Sequence, residues 1–132
     1  MNYSTNDYAA LTLRLALGLM FLAHGLLKIL VFTLPGTAGF FESVGFPGWT
    51  AYIVAPFEVI AGVALILGIY TRWVAAASVV VLLGALTVHI GNGWQFTNKN
   101  GGWEYPAFLV LAAITVALQN GGRIALTKSS AA

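Results

Sequence analysis

Four apolar stretches, each close to the length of a bilayer crossing, limit this chain to very few folds. They run over roughly residues 9–32, 50–70, 73–90 and 105–119. A helix needs about 20 residues to span a hydrocarbon core of about 30 Å. Only 8% of the 132 residues are charged and 59% are hydrophobic, whereas an ordinary soluble domain carries about 25% charged residues. The mean hydropathy is +0.86. A surface so poor in charge would not stay in water, so lipid is the solvent. The expected fold is all-α: a four-helix transmembrane bundle forming a single integral-membrane domain over residues 1–132, without internal repeats.

Breakers set the limits of the spans. Thr33-Leu34-Pro35-Gly36 stops the first, Gly91-Asn92-Gly93 the third and Asn120-Gly121-Gly122 the fourth, because Pro and Gly interrupt helical hydrogen bonding. Pro106 suits the first turn of the fourth span. That span is short, so it must tilt or extend past Gly122. The brief link at Thr71-Arg72 predicts a tight antiparallel pair from the second and third spans. The two long connections, 33–49 and 91–104, then lie together at the opposite end, and both are rich in aromatics and glycine. Residues 38–46 read as a short interfacial helix, with Phe40, Phe41, Val44 and Phe46 against lipid or the bundle.

Charge and cysteine usage exclude several function classes. A formal charge of +2 with no basic run makes no case for nucleic acid. The absence of cysteine rules out a disulfide framework, a thiol relay, an iron–sulfur cluster held by this chain and covalently attached haem. The first apolar stretch is too long for a signal-peptide core and follows no basic segment, so no cleavable leader is expected. Arg14, Arg72, Arg123 and Lys128 fall at the end that carries the termini, and Lys28 and Lys99 at the other. That bias predicts both termini in the cytoplasm.

The polar residues within the spans are few and segregated. Glu58 stands alone in the apolar second span. A carboxylate at a helix centre in lipid costs about 2.5–3.5 kcal/mol on translocon scales, so it must be paired, wetted, protonated or useful. Ala55, Glu58, Gly62 and Leu65 share one helix face, with small residues around the acid. Arg14, Leu17, Phe21, His24 and Lys28 form a similar seam on the first span. Ser78, Leu82, Ala85 and His89 form one on the third, and Glu104, Phe108, Leu111 and Thr115 on the fourth. With every seam facing the axis, His24, Lys28, Glu58 and His89 converge in the half of the bundle away from the termini. Phe21, Gly25 and Gly62 border that space, Glu104 sits at its mouth, and Trp49, Trp94, Trp103 and Tyr105 rim it.

Plainer readings compete for each residue. Lys28 and Glu104 suit snorkelling at helix ends, Glu58 suits a structural ion pair with Lys28, and His89 suits a solvated boundary position. The tryptophans fit an aromatic belt. Gly18, Gly25, Gly62 and Gly84 fit helix contacts.

A buried acid, a base and a histidine beside a lipid-accessible, aromatic-rimmed opening suit a quinone. Glu58 and His24 are placed to give or take its protons, and Lys28 to balance the charge of a reduced oxygen. Electrons would come from an oxidoreductase partner, since no dinucleotide fingerprint and no strand occur. Two other classes stay open. His24 and His89 could ligate haem b or a transition metal. Alternatively the bundle is a small-molecule or proton conduit, or a membrane anchor that recruits a partner or a second copy of itself.

One ordered set of motifs goes further. Arg14-Leu-Ala-Leu-Gly18, Phe21, His24-Gly25, Lys28, Gly45-Phe-Pro47, Glu58-Val-Ile-Ala-Gly62 and Gly68-Ile-Tyr-Thr-Arg72 together resemble the DoxX family of small bacterial membrane proteins. The resemblance covers roughly residues 14–119 and implies four transmembrane helices in the inner membrane. It marks Lys28 and Glu58 as the matching polar positions on the first two spans, with His24 and His89 where members carry polar groups. Relatives include a membrane subunit linked to thiosulfate:quinone oxidoreduction. This chain has no fused thiosulfate-handling domain, so the resemblance carries the quinone side only.

Overall fold

The computed structural model describes residues 2–127; Lys128, counted above for orientation, lies outside them. Helix α1, Thr5–Leu26, begins at a capping box. The Asp7 amide donates to Ser4 Oγ at 3.2 Å and the Ser4 amide to Asp7 Oδ2 at 2.7 Å. Each bond satisfies an amide that the helix end would otherwise leave open. Ser4→Ala is expected to cost about 0.5–2 kcal/mol, seen as a lower thermal midpoint in detergent, whereas Ser4→Thr should keep most of the stability.

The far end of α1 widens into a π turn, Leu27–Val31, with Phe32 N bonded to Leu27 O at 2.9 Å. Thr33 then turns the chain at φ 66° and caps α2, Leu34–Ser43, by accepting from Gly36 N. The Pro35-Gly36 pair therefore stops one helix and also opens the next, since proline is tolerated in a first turn. A 3-10 turn, Gly48–Thr50, leads into α3, Ala51–Leu67, which Gly68 closes at φ 74°. Helix α4 runs over Thr71–His89 and α5 over Glu104–Gln119. There is no strand among the described residues.

Three of these helical stretches are long and apolar enough to cross a membrane: Thr5–Val31, Gly48–Leu67 and Thr71–Asn92. Helix α5 has 16 residues, about 24 Å at 1.5 Å per residue. It does not continue past Gly122. Asn120 takes a left-handed conformation at its end, and the chain folds back as a strap beneath α1 and α3. Leu126 N and Thr127 N donate to Leu67 O and Gly68 O, each at 3.1 Å, which satisfies carbonyls left open at the end of α3. Arg14 holds the strap from within. Its two terminal nitrogens donate to Gly121 O and Ile124 O, each at 2.7 Å. The sequence places Arg14 among the orientation charges, yet it is only 2% exposed.

Packing corrects a second expectation. The short link does not make α3 and α4 the tight pair; α1 lies closely against α3 and α4 against α5, and the two pairs touch each other only sparsely. Glycine explains the α1–α3 approach. A Cβ on Gly62 would stand 2.5 Å from Leu22 N and 2.8 Å from Gly18 O, and one on Gly25 would stand 2.7 Å from Val59 Cγ2. Such small residues let backbones meet, and in lipid that contact drives helix association. Gly84, expected to serve the same way, does not. Its nearest neighbour would be Phe46 Cζ at 3.9 Å.

The seam expected on α5 is also wrong. Phe108 and Leu111 face outward, 66% and 63% exposed, while Pro106, Val110, Ala113 and Val116 are buried. Lipid is as apolar as the core, so large hydrophobic side chains are at no disadvantage outside, and small ones mark the contact. On α1, α3 and α4 the seams face inward through the core, where Leu17, Phe21, Leu65, Ala75 and Leu82 meet Val110, Ala113 and Val116, while His24 at the open end of the α1 seam is exposed.

Candidate functional site

Because the two helix pairs meet loosely, a cavity of about 610 Å³ opens between them in the half away from the termini. Leu17, Met20, Phe21 and His24 of α1, with Lys28 on the π turn that follows it, form one wall, and Val54 and Glu58 of α3 the next. Helix α4 contributes Leu82, Gly84, Ala85 and His89, and α5 contributes Tyr105, Pro106 and Leu109. Helix α2 roofs the space with Phe40 and Phe41, followed by Val44 and Phe46. The lining is mainly apolar, with its ionisable groups gathered on α1, α3 and the end of α4.

Lys28 and Glu58 meet on one wall. The Lys28 ammonium donates to Glu58 Oε2 at 2.8 Å and to Oε1 at 3.1 Å. Glu58 is 6% exposed, so its charge needs this partner. The π turn at Leu27–Val31 carries Lys28, and Thr37 Oγ1 anchors that turn by donating to Lys28 O at 3.0 Å. Nothing in the sequence signals the π turn.

Both histidines are oriented by backbone. His24 Nδ1 lies 2.8 Å from Met20 O and His89 Nδ1 lies 3.0 Å from Gly101 O. A carbonyl only accepts, so Nδ1 carries the proton in each ring and Nε2 is left with a lone pair in the neutral form. Two hydroxyls also line the space. Thr50 Oγ1 donates to Pro47 O at 2.6 Å, and Tyr105 OH donates to Met20 Sδ at 3.1 Å across the α1–α5 gap.

The structure thus brings Phe21, His24, Lys28, Glu58 and His89 to one cavity. Glu104 and Trp94 lie in an adjoining recess, with His89, Tyr105 and Pro106 common to both spaces. There Glu104 Oε1 accepts from Phe96 N at 3.4 Å, and Trp94 stacks edge-on against Trp103 at 4.7 Å. Trp49 lines neither space and is 65% exposed. Gly25 and Gly62 lie in the α1–α3 contact rather than on the cavity wall. Met20, Thr50, Val54 and Gly84 were not singled out for the site, and hydropathy offers no cue for the first three. Among the described residues, no three His, Asp or Glu side chains gather closely enough to hold a metal ion.

The DoxX family model matches residues 9–90, which carry α1 to α4 and most of the cavity wall. The chain belongs to the DoxX family. As a DoxX protein it has its Lys28–Glu58 pair, both histidines and the α2 roof inside the matched region, while Tyr105 and Glu104 lie beyond it. It is 34% identical over 121 residues to a Bacillus subtilis (strain 168) protein named "Putative oxidoreductase CatD", covering 91% of this chain and 85% of that one. No solved structure matches it.

Proposed function

We propose that this DoxX protein is the membrane subunit of a quinone-linked oxidoreductase system, and that the cavity between the helix pairs holds the quinone ring. One observation carries the reading: a bidentate Lys28–Glu58 pair set in the wall of a mainly apolar space of about 610 Å³. The space is within the about 300–1,000 Å³ of small-molecule sites, and its few polar groups suit a ring with two oxygens. The relative's name, an oxidoreductase, points the same way. When bound, a quinone supplies a two-electron, two-proton couple.

The chain's own residues then divide the work. Glu58 and His24 give or take protons at the ring oxygens. Lys28 holds the Glu58 carboxylate in place and balances negative charge on the ring. His89 lines the wall at the end of α4, and Glu104 marks the outer recess. Both termini lie in the cytoplasm of a bacterial inner membrane, which puts the cavity in the outer half of the bilayer. Electrons come from a protein partner at that surface.

Gly84→Leu tests the cavity without touching a charged residue. The side chain enters open space and removes a helix glycine worth about 0.8–1.0 kcal/mol of propensity, so the fold should hold. Decylubiquinone should quench tryptophan fluorescence of the wild type in nanodiscs, with the response at least tenfold weaker in the folded Gly84→Leu variant. Equal quenching in both would remove the cavity from the account, and no quenching in either would favour an anchor that only recruits a partner.

A further inference from the structure

The donors and acceptors around the cavity are not balanced, and the imbalance bears on which redox form fits. The protons of its polar groups are nearly all committed. Thr50 Oγ1 gives its proton to Pro47 O and Tyr105 OH gives its own to Met20 Sδ. His24 Nδ1–H points to Met20 O and His89 Nδ1–H to Gly101 O. Two of the three Lys28 protons go to the two oxygens of Glu58. A single Lys28 proton is left over. Against it stand the lone pairs of His24 Nε2, His89 Nε2, the Glu58 carboxylate and the oxygens of Thr50 and Tyr105.

A quinone carbonyl only accepts hydrogen bonds, so its two oxygens compete for that one remaining proton. A hydroquinone presents two O–H donors of the same shape and size, and this wall offers them several acceptors. Leaving either kind of group unmatched in an apolar space is unfavourable. We propose that the cavity selects the reduced, dihydroxy form of its ring ligand over the oxidised form, with His24 Nε2 and His89 Nε2 as hydroxyl acceptors. The selectivity belongs to the same cavity as the proposed function and rests on that reading.

Anaerobic equilibrium binding of decylubiquinol and decylubiquinone to the full-length protein in nanodiscs provides the test. The quinol should bind about fivefold more tightly, the factor expected for one net hydrogen bond. His24→Phe keeps a planar aromatic ring and removes one acceptor; His89→Phe removes the other. Each should move the affinity ratio toward one, chiefly by weakening decylubiquinol. Equal affinities, or a tighter quinone, overturn the selectivity and leave the cavity assignment standing. A quinol preference unchanged in both variants overturns the role of the histidines. Failure of both forms to bind removes the site reading and the selectivity together.

Discussion

Lys28→Met is expected to unfold the bundle far more readily than wild type, by about 3–5 kcal/mol, because it leaves a buried carboxylate without a partner. Glu58→Leu should cost less. Lys28 stands near the end of the first span with 21% of its side chain exposed, and a freed ammonium can bend its stem toward the membrane surface. Glu58, 6% exposed on the inward face of α3, has no comparable escape. The double variant Lys28→Met/Glu58→Leu should regain most of the loss, since exchanging a whole buried pair for apolar side chains is often neutral or stabilising. Unfolding in mixed micelles at graded SDS provides the measurement. A double variant as unstable as the sum of the singles would show that the two side chains do not depend on each other. Recovery of stability without recovery of quinone response would separate the pair's structural role from its chemical one.

Gly62→Ala and Gly84→Ala are expected to move stability in opposite directions. Both replace a helix glycine, and each gains about 0.8–1.0 kcal/mol of intrinsic propensity. At Gly62 the added carbon meets backbone, 2.5 Å from Leu22 N and 2.8 Å from Gly18 O. Backbone cannot rotate aside, so α1 and α3 must separate along the closest contact in the bundle. Overpacking of a core costs about 1–3 kcal/mol and occasionally more, and a clash with main chain belongs at the upper end. At Gly84 the carbon enters the cavity, and the propensity gain should appear as a higher thermal midpoint. Two glycines in apolar helices thus read alike in sequence and differ in sign in the fold. If both variants melt together, the close α1–α3 contact is not what holds the bundle.

Much of the site was legible because polar residues are so expensive in lipid. Glu58 and Lys28 stand out against their apolar surroundings, and the three- and four-residue spacing of their seams places them on inward faces. Their meeting at 2.8 Å follows that pattern. The α5 seam failed where the same logic has no purchase. Phe108 and Leu111 fit the helical period as well as Val110 and Ala113 do, and hydrophobicity cannot choose between them when both sides are apolar. Trp49 was drawn to the rim by its aromaticity, but an indole is equally at home at the lipid–water boundary. The roof was half visible. The sequence marks Phe40, Phe41, Val44 and Phe46 as one apolar face of a short helix, without saying whether lipid or the bundle receives it. The fold turns that face over the cavity.

Length, hydropathy and the position of each breaker suffice to specify helices, their number and their alternating direction, because those are properties of single segments in lipid. The family is legible in the same way, in an ordered set of local motifs. Which helices pair was decided only in three dimensions. Backbone proximity at Gly18, Gly25 and Gly62 draws α1 to α3, and the short link cannot outweigh that contact. The cavity is the space left where the two pairs fail to close, and no local pattern encodes a gap. Its hydrogen-bond polarity is likewise tertiary: a histidine's free nitrogen is set by the carbonyl that holds the other one.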